Sequence, residues 1–517
     1  MTKSLPPRPG TVPALAAALA GVATLALVFS PATAATPRGV AVPEVSGPVA
    51  VGPASHAWMA AADARAPLDL GARGYVEEEY FFNGTANVYD WAASGEVSIR
   101  AGNAPYRTRM LVRRPADARR FSGTVWVEFL NPVARTDMSL AWGYANYYMM
   151  DHGDAWVGVT AFGDSLRTLK SFDAKRYASL SMANPAPVAE GCKAAGKDYD
   201  AENEDGLRWD ILTQAGALLK STAPGRPLAT LKVEQAYVFG QSNGDLPTYI
   251  SAFHRRASLA NGKPVWDGYV LKDSGVPIAT NQCDARPAAD DARRIFRNVG
   301  VPVMFVLVEN STLNGLGSRR PDSDERADRY RRYEIPGSSH VDEAAFPWLP
   351  KAEMLKAVGI DPLWPETRVC VPREELSDFP VHYYVAGAMQ NLDAWVRKGV
   401  APPRAERIRV TGADTANPLI ERDANGNALG GVRNAYVDVP LAAYNQRGPC
   451  GGNGVKVPFS WERLDELYGN YRSYARKFGV AVDRDVEQRW VPAAYAARMK
   501  AGLTAMPTLD RNTNTKK

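Results

Sequence analysis

The chain has 517 residues, of which 45% are hydrophobic and 23% charged, a balance that excludes disordered, fibrous and low-complexity classes. Its formal net charge is +5, from 61 Lys and Arg against 56 Asp and Glu. The basic residues form no aromatic-interleaved stripe, so no nucleic-acid partner is expected.

At the N-terminus, Lys3 and Arg8 precede an apolar run over 12–29 and the small residues Ala32-Thr33-Ala34. A charged head, an apolar middle and an A-x-A end read as a secretory signal peptide over 1–34 rather than a membrane anchor. Without that segment the formal charge is +3. The expectation is a secreted or periplasmic, cell-envelope protein with no stable membrane insertion. A Pro/Ala/Gly-rich lead-in follows, and then 75–89 and 96–113 alternate as β-rich structure, making 35–120 the β-rich first part of one domain. Short apolar, β-branched runs come next, at 124–130, 155–160, 236–239, 269–271 and 301–308. Such runs suit strands buried on both faces of a parallel sheet. Helical stretches at 207–221 and 247–256 lie between them, so 121–342 is expected to be an α/β core: a mostly parallel central sheet with helices on both faces.

Acidic residues intersperse the cluster Arg326, Arg329, Arg331 and Arg332, which therefore reads as a solvated face. Beyond 342, a helix is expected over 381–397, stopped by Gly399 and Pro402-Pro403. The Gly/Asn/Pro-rich stretch 400–455 suits an accessory layer or lid, and further helices are expected at 464–478 and 491–499. The four cysteines, Cys192, Cys283, Cys370 and Cys450, include no C-x-x-C pair. No zinc or other metal site is expected, and in an oxidising compartment they allow up to two disulfides with three pairings open.

The most informative motif is Gly240-Gln241-Ser242-Asn243-Gly244, a G-x-S-x-G directly after a buried strand and directly before a helix. On a sharp strand-to-helix turn a serine hydroxyl stands above the carboxyl edge of the sheet, and flanking glycines tolerate the close approach. Ser242 is the candidate nucleophile. The following helix start aims N–H groups at the same spot, so Asn243 N–H is a candidate oxyanion donor. A hydroxyl needs a base, and in this arrangement the chain order is Ser, acid, His. Of His56, His152, His254, His340 and His382, His254 lies along the elbow helix and His382 within the helix over 381–397. His340 closes a strand and a Gly/Ser loop, where an imidazole can reach the serine. Glu309, which ends the run 301–308, is the leading acid, with Asp273 and Asp322 as alternatives. The second oxyanion donor is expected from the loop 129–133 with Asn131 as candidate, since Pro132 has no N–H. Gly163-Asp164-Ser165-Leu166 matches a G-D-S-L box, but no histidine has the Asp three residues earlier that such a site needs. Asp151-His152-Gly153-Asp154 reads as a polar turn.

These features extend to a family resemblance. Gly74-Tyr-Val-Glu-Glu-Glu-Tyr80 with Gly84-Thr-Ala86, Tyr106-Arg-Thr-Arg-Met-Leu-Val-Arg-Arg-Pro115, Gly123-Thr-Val-Trp-Val-Glu-Phe-Leu-Asn131, Arg176-Tyr-Ala-Ser-Leu180, the elbow, Arg319-Arg-Pro-Asp-Ser-Asp324 before Gly337-Ser-Ser-His340, and Pro458-Phe with Leu467-Tyr-Gly469 are similar to the large bacterial α/β-hydrolase domain-containing proteins. The resemblance spans nearly all of the chain after the signal. It implies the α/β-hydrolase fold, with Ser242 as nucleophile and His340 as base. The family's acid region reads E-T-D after a strand; here it is Glu309-Asn310-Ser311, which keeps the Glu and loses the Asp.

The expected activity is hydrolysis of a small-molecule or polymeric carboxylic ester through a Ser-His-Glu triad and an acyl-enzyme, with no cofactor. Amide or peptide hydrolysis on the same triad is the second enzymatic reading. A non-catalytic binding protein of the same fold is the alternative from a different class.

Overall fold

The computed structural model describes residues 39–503 apart from 93, 187–198, 243–244, 276, 289–290, 342–345, 363–370, 373–374 and 446–453. The signal segment, Asn243, Cys192, Cys370 and Cys450 therefore lie outside the described residues; Cys283 lies within them.

Nine strands form the main sheet: β1 (Glu44–Ser46), β2 (Tyr75–Trp91), β3 (Val97–Pro115), β4 (Thr124–Phe129), β5 (Ala155–Val159), β6 (Gln235–Gln241), β7 (Gly268–Lys272), β8 (Val303–Val308) and β9 (Tyr330–Ile335). Their spatial order is β1-β2-β3-β5-β4-β6-β7-β8-β9. Pairing is antiparallel from β1 to β5 and parallel from β5 through β4 to β9. The two alternating stretches near the N-terminus are one long hairpin of 17 and 19 residues.

Every residue of β4, β5, β7, β8 and β9 is buried, as continuous apolar runs require when both faces are covered. The period-2 alternation sorts the side chains into two cores. Val125, Val127 and Phe129 join Val303, Phe305 and Leu307 on one face, and Trp126 joins Tyr237, Phe239, Met304 and Val306 on the other. Each such side chain stabilises by about 1.5–3 kcal/mol on burial, so the sheet is the rigid element on which the loops are mounted.

Helices α1 (Leu140–His152), α2 (Gly163–Phe172) and α3 (Arg208–Leu219) follow the early strands. The stretch after β6 begins as α4 (Asp245–Thr248), continues as a π turn (Tyr249–Phe253) and ends in a 3₁₀ turn (His254–Arg256). Later come α5 (Ala352–Ala357), α6 (Val381–Lys398), α7 (Ala435–Asp438), α8 (Trp461–Tyr468), α9 (Tyr471–Glu487) and α10 (Ala493–Gly502). Gly399 ends α6 at φ +67°, the left-handed cap that glycine favours. The single helix expected at 464–478 is instead two. Gly469 turns at φ +71°, and the Asn470 side chain accepts from Ser473 N–H at 2.9 Å, so one helix is capped and the next started within two residues. No helix among the described residues is long and apolar enough to cross a membrane.

The solvated face expected at the arginine cluster is corrected in part: Arg331 and Arg332 are buried. The cause is a strap of later chain along β9, the last strand of the sheet. Arg331 Nε donates to Pro402 O (3.0 Å), Tyr333 OH to Pro403 O (2.9 Å) and Arg407 Nη1 to Arg332 O (2.7 Å). Ile408 N–H donates to Glu334 Oε2 (2.9 Å) and Val432 N–H to Glu334 O (2.7 Å). Glu334 in turn pairs with Arg332 and Arg319, so the buried charges compensate one another.

Candidate active site

Strands β6 to β9 end at one edge. Gln241 is level with Lys272, Lys272 with Val306, and Val308 with Ile335. Ser242, Asp273, Glu309 and the loop carrying His340 therefore all emerge at the carboxyl end of adjacent parallel strands, the usual place for a site in such a sheet. Ser242 and Asp273 leave their strands at φ +64° and +50°. That left-handed backbone costs a residue with a Cβ about 1–2 kcal/mol. It is held by ladder bonds, Ser242 N–H to Lys272 O at 3.2 Å and Asp273 N–H to Val306 O at 2.7 Å. A Cβ at position 240 would sit 2.9 Å from Leu246 Cδ2, which is the close strand-to-helix approach that calls for glycine before the turn.

Ser242 Oγ lies 2.5 Å from His340 Nε2. His340 Nδ1 in turn contacts Asp273 Oδ2 directly. The carboxylate behind the imidazole is thus that of the alternative acid, and the leading candidate, Glu309, is corrected. Glu309 is fully buried and turned to other partners: Gly337 N–H donates to Oε2 (2.7 Å) and Arg422 Nη2 to Oε1 (2.8 Å). The first of these bonds ties it to the turn that leads to His340. The difference lies in what holds each carboxylate: Glu309 is taken up by Gly337 and Arg422, and Asp273 lies against Nδ1. The third acid candidate, Asp322, accepts from Arg332 N–H and Arg407 Nη2 at 3.1 and 2.6 Å and so is engaged with the strap along β9.

Burial, joined by the nearby Lys272 ammonium, depresses the His340 imidazole to about 4. The ring is accordingly neutral over the ordinary pH range and able to accept a proton. Its backbone is fixed as well. His340 O faces three donors from three elements: Lys272 Nζ at 3.2 Å, Gln241 Nε2 at 3.3 Å and Tyr144 OH at 3.4 Å. Lys272 is fully buried, its Nζ 4.1 Å from the centre of the Tyr144 ring. Sequence reasoning passed over all three residues. The one available signal was Lys272 itself, a cation closing a strand otherwise buried on both faces.

The oxyanion candidates fare differently. Asn243 lies outside the described residues. Asn131 is corrected: its N–H donates to Met138 O at 3.1 Å. Its side chain is a clamp, Nδ2 donating to Gln241 O at 2.9 Å and Oδ1 accepting from Val133 N–H at 2.9 Å. Arg135 and Thr136 N–H are also engaged, by Pro132 O and Val133 O. Within this loop the N–H of Ala134, held at φ +56°, makes no hydrogen bond among the described residues.

The remaining motifs stay apart from this cluster. Ser165 of the G-D-S-L box is fully buried on α2. His254 Nδ1 lies 2.6 Å from Tyr269 OH, and His152 Nδ1 2.8 Å from Tyr148 O. The His382 ring centre lies 4.1 Å from that of Tyr383, the two rings tilted by 45°. Among the described residues no three His, Cys, Asp or Glu side chains gather as a metal site.

Comparison with known proteins adds the following. A search of curated proteins gave no match. Solved structures similar to the chain include the poly(3-hydroxybutyrate) depolymerase LpqC from Bordetella parapertussis, at 13% identity over 52% of this chain and 89% of that one, with TM-score 0.27. They also include the esterase Est22, at 11% identity over 57% and 80%, TM-score 0.29, and an esterase from Pyrobaculum calidifontis, at 12% over 53% and 81%, TM-score 0.27. A family model described as an alpha/beta hydrolase domain matches residues 45–501, from the first strand of the sheet to the last helix, and the chain belongs to that alpha/beta hydrolase family.

Proposed function

We propose that this alpha/beta hydrolase is a serine hydrolase of carboxylic esters, with Ser242 as nucleophile, His340 as base and Asp273 as the acid that orients the base. The observation that carries the reading is the 2.5 Å approach of Ser242 Oγ to His340 Nε2 with a carboxylate against the opposite ring nitrogen. The neutral imidazole takes the hydroxyl proton as Oγ bonds to the ester carbonyl carbon, and the carbonyl π electrons move to oxygen. Asp273 holds the ring in the tautomer whose Nε2 is free and stabilises the imidazolium that forms. The imidazolium then gives its proton to the departing alkoxide, leaving Ser242 acylated. Water, deprotonated by the same Nε2, releases the acid and restores the hydroxyl.

The developing oxyanion needs two N–H donors. In this reading Asn243, next after the nucleophile, supplies one, and the uncommitted Ala134 N–H supplies the other in place of Asn131. The left-handed backbone at Ala134 supports that assignment, because strain of this kind persists where a group must be aimed. Substrates are small-molecule or polymeric esters, and the segment 1–34 supports export to the periplasm or medium.

Labelling with a fluorophosphonate tests the reading, since the probe phosphonylates, with loss of fluoride, only a serine whose base is in place. Covalent label on Ser242, lost in Ser242→Ala together with at least about 10⁴-fold of p-nitrophenyl ester turnover, is the expected result. A folded wild-type protein that takes no label and cleaves no ester defeats the proposal.

A further inference from the structure

Strand β7 reads Gly-Tyr-Val-Leu-Lys and is buried throughout. Another apolar residue at its end would be the inexpensive choice, since burying an ammonium costs several kcal/mol before compensation. The chain instead puts Lys272 there, fully buried. Its Nζ is 3.2 Å from His340 O and 4.1 Å from the Tyr144 ring centre. We propose, resting on the serine hydrolase reading, that Lys272 is a positioning residue for the base: its ammonium fixes the backbone of His340 and opposes a proton on the ring.

Two effects follow from the placement. The first is geometric. The turn to His340 is of Gly/Ser type, and the Lys272 hydrogen bond ties the residue that bears the imidazole to the end of the strand that Asp273 follows. The second is electrostatic. Among the described residues, the groups facing His340 are Ser242 and Gln241 from the end of β6, Lys272 and Asp273 from the end of β7, and Tyr144 from α1. Only Lys272 and Asp273 among them carry charge. Asp273 draws a proton to the ring and Lys272 repels it. The depressed affinity of His340 for protons, caused first by burial and then by Lys272, agrees with that repulsion. The imidazolium formed in turnover is correspondingly a stronger acid toward the leaving alkoxide, and the base stays usable at lower pH.

The test is the rate of fluorophosphonate labelling at Ser242 as a function of pH. The neutral ring is the reactive form, so labelling is lost as pH falls through the His340 pKa. In the wild type the midpoint is expected below about 6, against an ordinary histidine near 6.5. In Lys272→Met the rate falls at every pH and the midpoint rises by about one unit, the size of a charge effect across a few ångströms in a partly screened interior. Lys272→Arg, which keeps the charge, retains the low midpoint. A wild-type midpoint at or above about 6.5, or an unshifted midpoint in folded Lys272→Met, overturns the proposal. If Lys272→Met does not fold, Lys272→Gln is measured in its place, and an unshifted midpoint in that variant overturns the proposal equally. Absence of Ser242 labelling at any pH is a different failure: it removes the serine hydrolase reading and this inference with it.

Discussion

Asp273 and Glu309 end neighbouring strands and are both buried, yet their surroundings assign them different work. Asp273→Asn keeps the shape and removes the charge behind the imidazole, so ester turnover and labelling rate should fall by about 10³- to 10⁴-fold with little change in stability. Glu309→Gln leaves Arg422 without its charged partner and weakens the hold on Gly337. It should lower unfolding free energy by about 1–3 kcal/mol while costing far less turnover than Asp273→Asn. Urea unfolding and ester kinetics on the two variants separate these outcomes, and the reverse pattern would return the acid to Glu309. The meeting of Ser242 with His340 was legible in the sequence because each is marked by a local pattern, a strand–Gly–turn–helix and a strand–Gly–Ser loop. The acid was not, because the choice depends on which carboxylate other groups already hold, and Glu309 is held by Arg422, more than a hundred residues on, and by Gly337. The oxyanion loop failed for a related reason: a sequence shows that Pro132 has no N–H, but not that Asn131 N–H is already taken by Met138.

Elements were more readily legible than contacts. The strand runs from 124 to 308 are signalled by continuous apolar composition, and the boundary of α6 by Gly399, because these depend on local chemistry alone. The break at Gly469-Asn470 was missed although both residues are cap formers, since an apolar stripe on either side masked it. Packing between elements was out of reach altogether. Gly387, inside α6, shows how much that matters. In a helix interior Gly→Ala ordinarily stabilises by about 1 kcal/mol. Here an added Cβ would lie 1.9 Å from Trp490 O, a backbone atom with little room to yield. The contact term wins, and Gly387→Ala is expected to lower stability by at least about 2 kcal/mol, read as a drop in melting temperature; a rise would show that α6 and the segment at 490 part easily.

For the whole molecule, the decisive feature is the strap along β9. Every group in the candidate triad has been made once residue 340 is in the chain, but the sheet is not sealed until Pro402, Arg407, Ile408 and Val432 arrive. Before then Glu334, Arg331 and Arg332 stand on an open edge, and open edges recruit other chains. A protein ended after Gly399 should therefore be recovered as aggregate rather than as a soluble enzyme without its tail, which sedimentation of the truncated and full-length chains would reveal. The partly synthesised chain is in the same position during its production: it holds a finished set of reactive groups and no finished surface to support them, so competence for hydrolysis arrives late and makes the interval before release the period in which a chaperone is most needed.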